Sequence, residues 1–190
     1  MEVSDYFEQY VWPNYESFRA DPGRKLLAMN AVVAAYHMAD WIAACRVGPG
    51  VAGGIKDGDV RRAVKQVRKD VLEACPDFAL IEDAATAYKH VVTSDKTGGK
   101  ERPRKRHFME LVRVGTGSRD TRWSDTEAWD ASKVWQDHYE SVVIDDGKTE
   151  HELLLALNHL VAYWGDYVYA GRPDWKERRP EPGAGTGVLR

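Results

Sequence analysis

The chain has 190 residues, which is enough for one hydrophobic core and too few for two comfortable domains. With 43% hydrophobic and 30% charged residues it has the composition of a globular protein, and its net charge of −3 gives no global attraction to nucleic acid or to an anionic membrane. Any surface that binds an anionic partner must therefore be local.

The N-terminal part of the chain is predicted to be helical. "MEVSDYFEQYVW" carries acids where a signal peptide carries lysines or arginines, and no apolar run approaches the roughly 20 residues that span a bilayer. We therefore expect a cytoplasmic protein with no membrane contact. Pro13 should interrupt the first helix. Asp21 and Pro22 then supply an N-cap and a first helical residue for a long central helix over 24–46.

Two further helices are predicted before residue 94. The first has a basic face and, on the opposite side, an apolar stripe made of Val60, Val64, Val67 and Val71. Pro76 ends this helix, and 77–93 continues as another, with apolar residues at helical spacing. The two cysteines, Cys45 and Cys75, are too few for a disulfide framework or a zinc quartet.

The pattern changes after residue 94. A basic connection leads to a strand over 107–114, and a second strand lies within 134–144. Thr149 and Glu152 have capping-box spacing for a last helix over 150–169. The predicted fold class is mainly α (α+β). It is a single helical-bundle domain over 1–169 with a small antiparallel β-hairpin inserted at about 105–146, before the last helix, and a flexible tail over 170–190.

Polar residues interrupt two of these apolar helices at regular spacing. In "AAYHMADW", His37 and Asp40 are three residues apart and share nearly one face. On the later helix Asp83 and His90 are seven residues apart, with Lys89 beside His90. If the two helices are neighbours, these groups form one polar site; otherwise each is a satisfied core residue or points into solvent. No His-Glu-x-x-His or Glu-x-x-His pair is present, so no metal or cofactor is predicted.

The segments "NAVVAAYHMADW" and "CPDFALIEDAATAYKH" resemble a group of bacterial helical proteins and, more distantly, the HEPN domains of toxin and phage-defence systems. The resemblance covers 24–93 and, loosely, the hairpin and last helix. It implies a metal-independent endoribonuclease or an RNA-binding component of such a system, with a site shared across a homodimer. His90 matches the family's histidine, but Ala84, Ala85 and Thr86 stand where the family has an upstream arginine.

The chemistry of such a site assigns a role to each polar residue. His90 is the acid/base, Lys89 the cation at the phosphorane, and His37 a second proton-transfer group, while Asp83 or Asp40 orients an imidazole. The basic run after this helix either binds RNA phosphates or is a solvated loop; its residues are Arg102, Arg104, Lys105 and Arg106. The competing hypothesis is a non-catalytic interaction module that binds a protein partner and whose polar stripe fixes helix register.

Overall fold

A computed structural model describes residues 2–48, 57–89, 112–120, 136–145, 149–170 and 172–180. Most of them are helical. The helices are α1 (Val3–Tyr6), π1 (Phe7–Val11), α2 (Trp12–Ala20), α3 (Lys25–Val47), α4 (Asp57–Ala74), α5 (Phe78–Lys89), α6 (Leu153–Val168) and α7 (Pro173–Arg178). The predicted fold class, mainly α with a small antiparallel β element before the last long helix, is confirmed.

A small antiparallel sheet precedes α6 in the chain. Its strands, in spatial order, are β1 (Val112–Asp120), β2 (Gln136–Asp145) and β3 (Glu150–Glu152). In the central pairing, Val114 lies opposite Val142. The backbone N–H of Val142 also donates a hydrogen bond of 2.9 Å to the carbonyl oxygen of Pro22, in the turn between α2 and α3. This bond fastens the sheet to the helical bundle.

Helix α3 is the central element of the bundle. Its apolar residues are buried along most of its length, and Ala35, Met38 and Ala39 have no exposed surface. Trp164 of α6 is also fully buried, and its indole N–H donates a hydrogen bond of 3.0 Å to the carbonyl oxygen of Ala35. Because α3 contacts the helices before and after it, polar residues on this helix lie close to several other elements.

Helix α3 is also the one described helix that is long and apolar enough, by length and composition alone, to cross a membrane. However, 56% of its most apolar window is buried inside the bundle, and the core helix of a globular protein meets the same criterion. The expectation of no membrane contact remains a prediction.

The N-terminal helix changes its winding just before Pro13. The π-helical turn π1 ends at Val11, and Pro13 is the second residue of α2. Proline has no N–H group to donate to the preceding turn, so the regular ladder of helical hydrogen bonds cannot continue through it. The interruption predicted at this proline therefore takes the form of a π-helical turn.

Residues 172–180 correct the prediction of a flexible tail. Trp175 in α7 is only 4% exposed, and its indole N–H donates a hydrogen bond of 2.8 Å to Asp166 at the end of α6. Arg179 donates hydrogen bonds to both carboxylate oxygens of Asp166. The polar composition of the whole segment predicts a flexible tail, but a single buried tryptophan is enough to hold residues 172–180 against the bundle. Residues 181–190, the rest of the predicted tail, lie outside the described residues.

The predicted capping box at the start of α6 is also wrong. Glu150–Glu152 form β3, and α6 begins at Leu153 with no side-chain hydrogen bond at its cap. Glu152 is buried and accepts a hydrogen bond of 3.3 Å from the hydroxyl of Ser141 on β2. Strand pairing therefore takes up the residues that the local sequence assigns to the first turn of a helix.

Candidate functional site

His37 and Asp40 form a hydrogen-bonded pair on the surface of α3. The imidazole Nδ1 of His37 lies 2.6 Å from Oδ2 of Asp40, as expected for side chains three residues apart on a helix. Both side chains are partly exposed, His37 to 28% and Asp40 to 35%. This part of the predicted polar site is therefore a real contact that solvent reaches.

Arg68 on α4 joins this pair to α5. Its Nη2 donates a hydrogen bond of 3.0 Å to Oδ1 of Asp40, and its Nη1 lies 3.4 Å from Oε1 of Glu82. Asp40 thus uses one carboxylate oxygen for His37 and the other for Arg68. A single guanidinium connects three helices through two carboxylates.

The guanidinium of Arg68 packs against an aromatic ring. Its guanidinium carbon lies 4.5 Å from the centre of the Tyr36 ring, and Tyr36 stacks on Phe78 at the start of α5 with ring centres 6.1 Å apart. Burial raises the pKa of Tyr36, and the positive charge of Arg68 opposes this shift. The Nε of Arg68 is buried and has no hydrogen-bond partner among the described residues. The cation is thus held firmly but is incompletely paired.

The charges around Asp40 fix its protonation and the tautomer of His37. Burial raises the pKa of Asp40, but the hydrogen bonds and charges of His37 and Arg68 outweigh that effect, so the pKa lies below its usual value. An ionised carboxylate only accepts hydrogen bonds, so Nδ1 of His37 must carry the proton that it shares with Asp40. In the neutral imidazole Nε2 is then the basic nitrogen, and no hydrogen bond to it is formed within the described ranges.

A cavity of about 410 Å³ lies beside this network, between α4 and α5. Three cations and one carboxylate line it, together with two valines: Arg61, Lys65, Arg68, Glu82, Val60 and Val64. The volume is within the range of about 300–1,000 Å³ that is usual for ligand sites. Among the described residues that line it, three are positively charged and one is negatively charged, so the cavity is suited to an anion.

The remaining predicted site residues lie on α5 or outside the described residues. Asp83 is exposed on α5, and it is the preceding residue, Glu82, that reaches Arg68. Lys89 is the last residue of α5, and its side chain is not described. His90 and the basic run over 102–106 lie outside the described residues, so their roles stay predictions. The structure brings His37 and Asp40 together and adds two residues that the sequence argument did not select, Arg68 and Glu82.

The sequence does contain a signal for one of these two additions, Arg68. Arg68 lies four residues after Val64 and three before Val71, so it borders the apolar stripe of α4, while Arg62 lies on the opposite face. A cation at the edge of a buried stripe lies nearer to neighbouring helices than one in the middle of the solvent face. Its partner cannot be identified from α4 alone.

A second histidine–aspartate pair lies elsewhere in the bundle. Nδ1 of His159 on α6 is 2.5 Å from Oδ2 of Asp77, just before α5, and both side chains are about one-third exposed. The nearby thiol of Cys75 is buried, which raises its pKa to about 11, so it is not a reactive nucleophile at neutral pH. Across the part of the chain that the structure describes, no group of three or more potential ligands is placed to hold a metal ion.

Comparisons of the chain with protein-family models, with curated proteins and with solved structures gave no match.

Proposed function

We propose that the protein binds single-stranded RNA and cleaves it without a metal ion, as the resemblance to HEPN domains of bacterial defence and toxin systems implies. The observation that carries the proposal is the series of contacts from His37 through Asp40 to Arg68, which itself lines the cationic cavity. A basic imidazole nitrogen, joined through Asp40 to a cation that attracts phosphate, provides two of the groups that RNA cleavage requires.

The proposed reaction uses Nε2 of His37 as the general base. It takes the proton of a ribose 2′-hydroxyl, and the 2′ oxygen forms a bond to phosphorus while the bond from phosphorus to the 5′ oxygen breaks. The products are a 2′,3′-cyclic phosphate and a 5′-hydroxyl. His90 is assigned to protonate the leaving oxygen, and Arg68 to stabilise the charge that develops on the phosphorane. Asp40 keeps the imidazole in the required tautomer.

The second candidate function is a non-catalytic interaction module that binds a protein partner. The observation that favours it is that Arg68 bonds to α3 and α5 from its own position on α4. Such a network fixes the register of three helices even if no substrate ever reaches it. The two functions differ in what a change at His37 does: loss of cleavage in one case, loss of stability alone in the other.

The test is cleavage of end-labelled single-stranded RNA by the His37→Asn variant in the presence of a chelator. The amide of asparagine can donate the hydrogen bond that Nδ1 makes to Asp40, but it has no basic nitrogen in place of Nε2. We expect the parent protein to leave 2′,3′-cyclic phosphate ends, and the variant to lose at least about 100-fold in rate, the usual effect of removing a general base. Cleavage that needs a metal ion, or an unchanged rate, would overturn the proposal.

The matched control is His159→Asn. His159 is also about one-third exposed and is also bonded to an aspartate through Nδ1, but it is not part of the proposed site. Its cleavage rate should equal that of the parent protein. If the parent protein does not cleave RNA and His37→Asn only lowers the free energy of unfolding, the interaction module is the better account.

A further inference from the structure

The three cations of the cavity form one line along α4. Arg61, Lys65 and Arg68 are spaced by four and three residues, so they share a face of the helix, on the side that meets α5. Val60 and Val64 provide the uncharged part of the lining. The cavity thus combines an apolar wall with a row of donors, an arrangement that suits one nucleotide unit with its phosphate.

The two contacts that Arg68 makes with carboxylates differ in length. The bond to Asp40 is 3.0 Å long and holds the guanidinium from the side of α3, whereas the contact with Glu82 is 3.4 Å, which is long for an ion-paired hydrogen bond. Glu82 lines the cavity and its side chain is 38% exposed. A stronger anion can therefore replace the contact with Glu82 while Arg68 keeps its hydrogen bond to Asp40 on α3.

A phosphate group is such an anion. It offers several strong acceptor oxygens, so it can bind Arg68, Lys65 and Arg61 together, while a single carboxylate at the position of Glu82 reaches Arg68 at the edge of hydrogen-bonding distance. Asp40 does not line the cavity, and its two oxygens are already bonded, one to Arg68 and the other to His37, so the phosphate replaces Glu82 rather than Asp40. Because Nε of Arg68 is buried, a phosphate in the cavity would bind Nη1, the atom that Glu82 contacts.

We propose that this cavity is a phosphate-binding site in which Glu82 is an internal competitor, occupying Arg68 until a phosphate of the RNA strand replaces it. This inference rests on the proposed RNA binding and adds the place where the strand is held. Glu82 then also sets specificity, because an anion too weak to displace a carboxylate from Arg68 does not gain the full set of contacts.

The experiment measures binding of a single-stranded RNA oligonucleotide by fluorescence anisotropy over a range of salt concentrations. We expect Glu82→Gln to bind the RNA up to about fivefold more tightly, which is the upper end of the effect expected from removing one partly exposed ion pair. Lys65→Gln should bind more weakly, and its log affinity should fall less steeply with log salt, by about one in slope.

The matched control is Glu73→Gln, which makes the same change of charge on the exposed side of α4, away from the cavity. Equal effects of Glu82→Gln and Glu73→Gln would overturn the inference, because net charge alone would then explain them. RNA binding by the parent protein that none of the cavity variants changes also overturns it, but leaves the proposed function standing.

Inorganic phosphate provides the second arm, read by its ability to displace the RNA. If inorganic phosphate displaces RNA weakly from the parent protein and more strongly from Glu82→Gln, the result supports a site for a phosphate group of the RNA strand. If phosphate binds in the cavity while the parent protein does not bind RNA, the source is a free phosphate, and the proposed function fails together with the assignment to RNA.

Discussion

At Gly165 the structure predicts that replacement with alanine destabilises the protein, although the same change in a helix usually stabilises it. Replacing a helical glycine with alanine normally stabilises a protein by about 0.5–1 kcal/mol, because glycine loses more backbone freedom on folding. A Cβ at position 165, however, would lie 1.9 Å from Cζ2, 2.2 Å from Cη2 and 2.4 Å from Cε2 of Trp175. Since real carbon atoms do not approach so closely, the indole must leave its site.

The cost follows from what the displaced indole loses. Trp175 is 4% exposed, and burying a large aromatic side chain of about 200 Å² contributes roughly 5 kcal/mol at about 25 cal/mol per Å². Tryptophan-to-alanine changes in cores cost a similar 3–5 kcal/mol or so. After subtracting the gain of about 1 kcal/mol from the helix, we expect Gly165→Ala to lower the free energy of unfolding by about 3 kcal/mol.

The assay is urea unfolding followed by circular dichroism, with Gly58→Ala as the control. Gly58 also lies in a helix, but no atom of the described residues is within 4 Å of the position that an alanine methyl group would take there, so alanine should be neutral or slightly stabilising. In a Trp175→Ala background, Gly165→Ala should also become neutral or stabilising, because the clash is gone. If Gly165→Ala stabilises the otherwise unchanged protein as Gly58→Ala does, the packing argument is refuted.

Two further predictions concern buried and paired polar groups. The hydroxyl of Tyr15 donates a hydrogen bond of 2.8 Å to the buried Oδ1 of Asn158, so Tyr15→Phe should cost about 1–3 kcal/mol in urea unfolding, while Tyr10→Phe, at a ring 45% exposed, should change little. Because the pKa of Asp40 is lowered on folding, its ionised form stabilises the protein above the usual carboxyl pKa, and that stability is lost as the pH falls through the lowered value. The difference in unfolding free energy between the parent and Asp40→Asn should therefore shrink as the pH falls below about 4; a difference that persists unchanged at pH 2 contradicts the assignment.

The long helices could be predicted from the sequence because their signals are local. The predicted helix over 24–46 corresponds to Lys25–Val47 because apolar residues fill it. The predicted cap is wrong, however: Asp21 and Pro22 precede the helix, and its N-cap is Arg24. The start of α6 could not be predicted in this way, because the residues before it join a strand whose partner lies elsewhere in the sequence. In such a case the hydrogen bonds of the sheet decide the conformation, and the local spacing of Thr149 and Glu152 does not.

The candidate site was predictable only in part, for a related reason. His37 and Asp40 lie on one helix, so helical geometry alone brings them together. Arg68 is one of five cations on α4, and its selection depends on how α3, α4 and α5 are arranged in space. Trp175 presents the same difficulty, because the space that receives it is made by the absence of a side chain at Gly165.

The contacts of π1 with the end of the chain have a consequence for folding during synthesis. Glu8 is bonded to Tyr169 and Arg178, 161 and 170 residues further along, and the ring of Phe7 packs edge-on against Tyr169 and Trp175. Since a ribosome makes a chain from its N-terminus, π1 must wait without these partners until about 170 further residues have been made. Closing so long a loop is slow, so π1 should be among the last of the described segments to reach its native contacts. Its apolar side chains are the ones that a chaperone would need to shield.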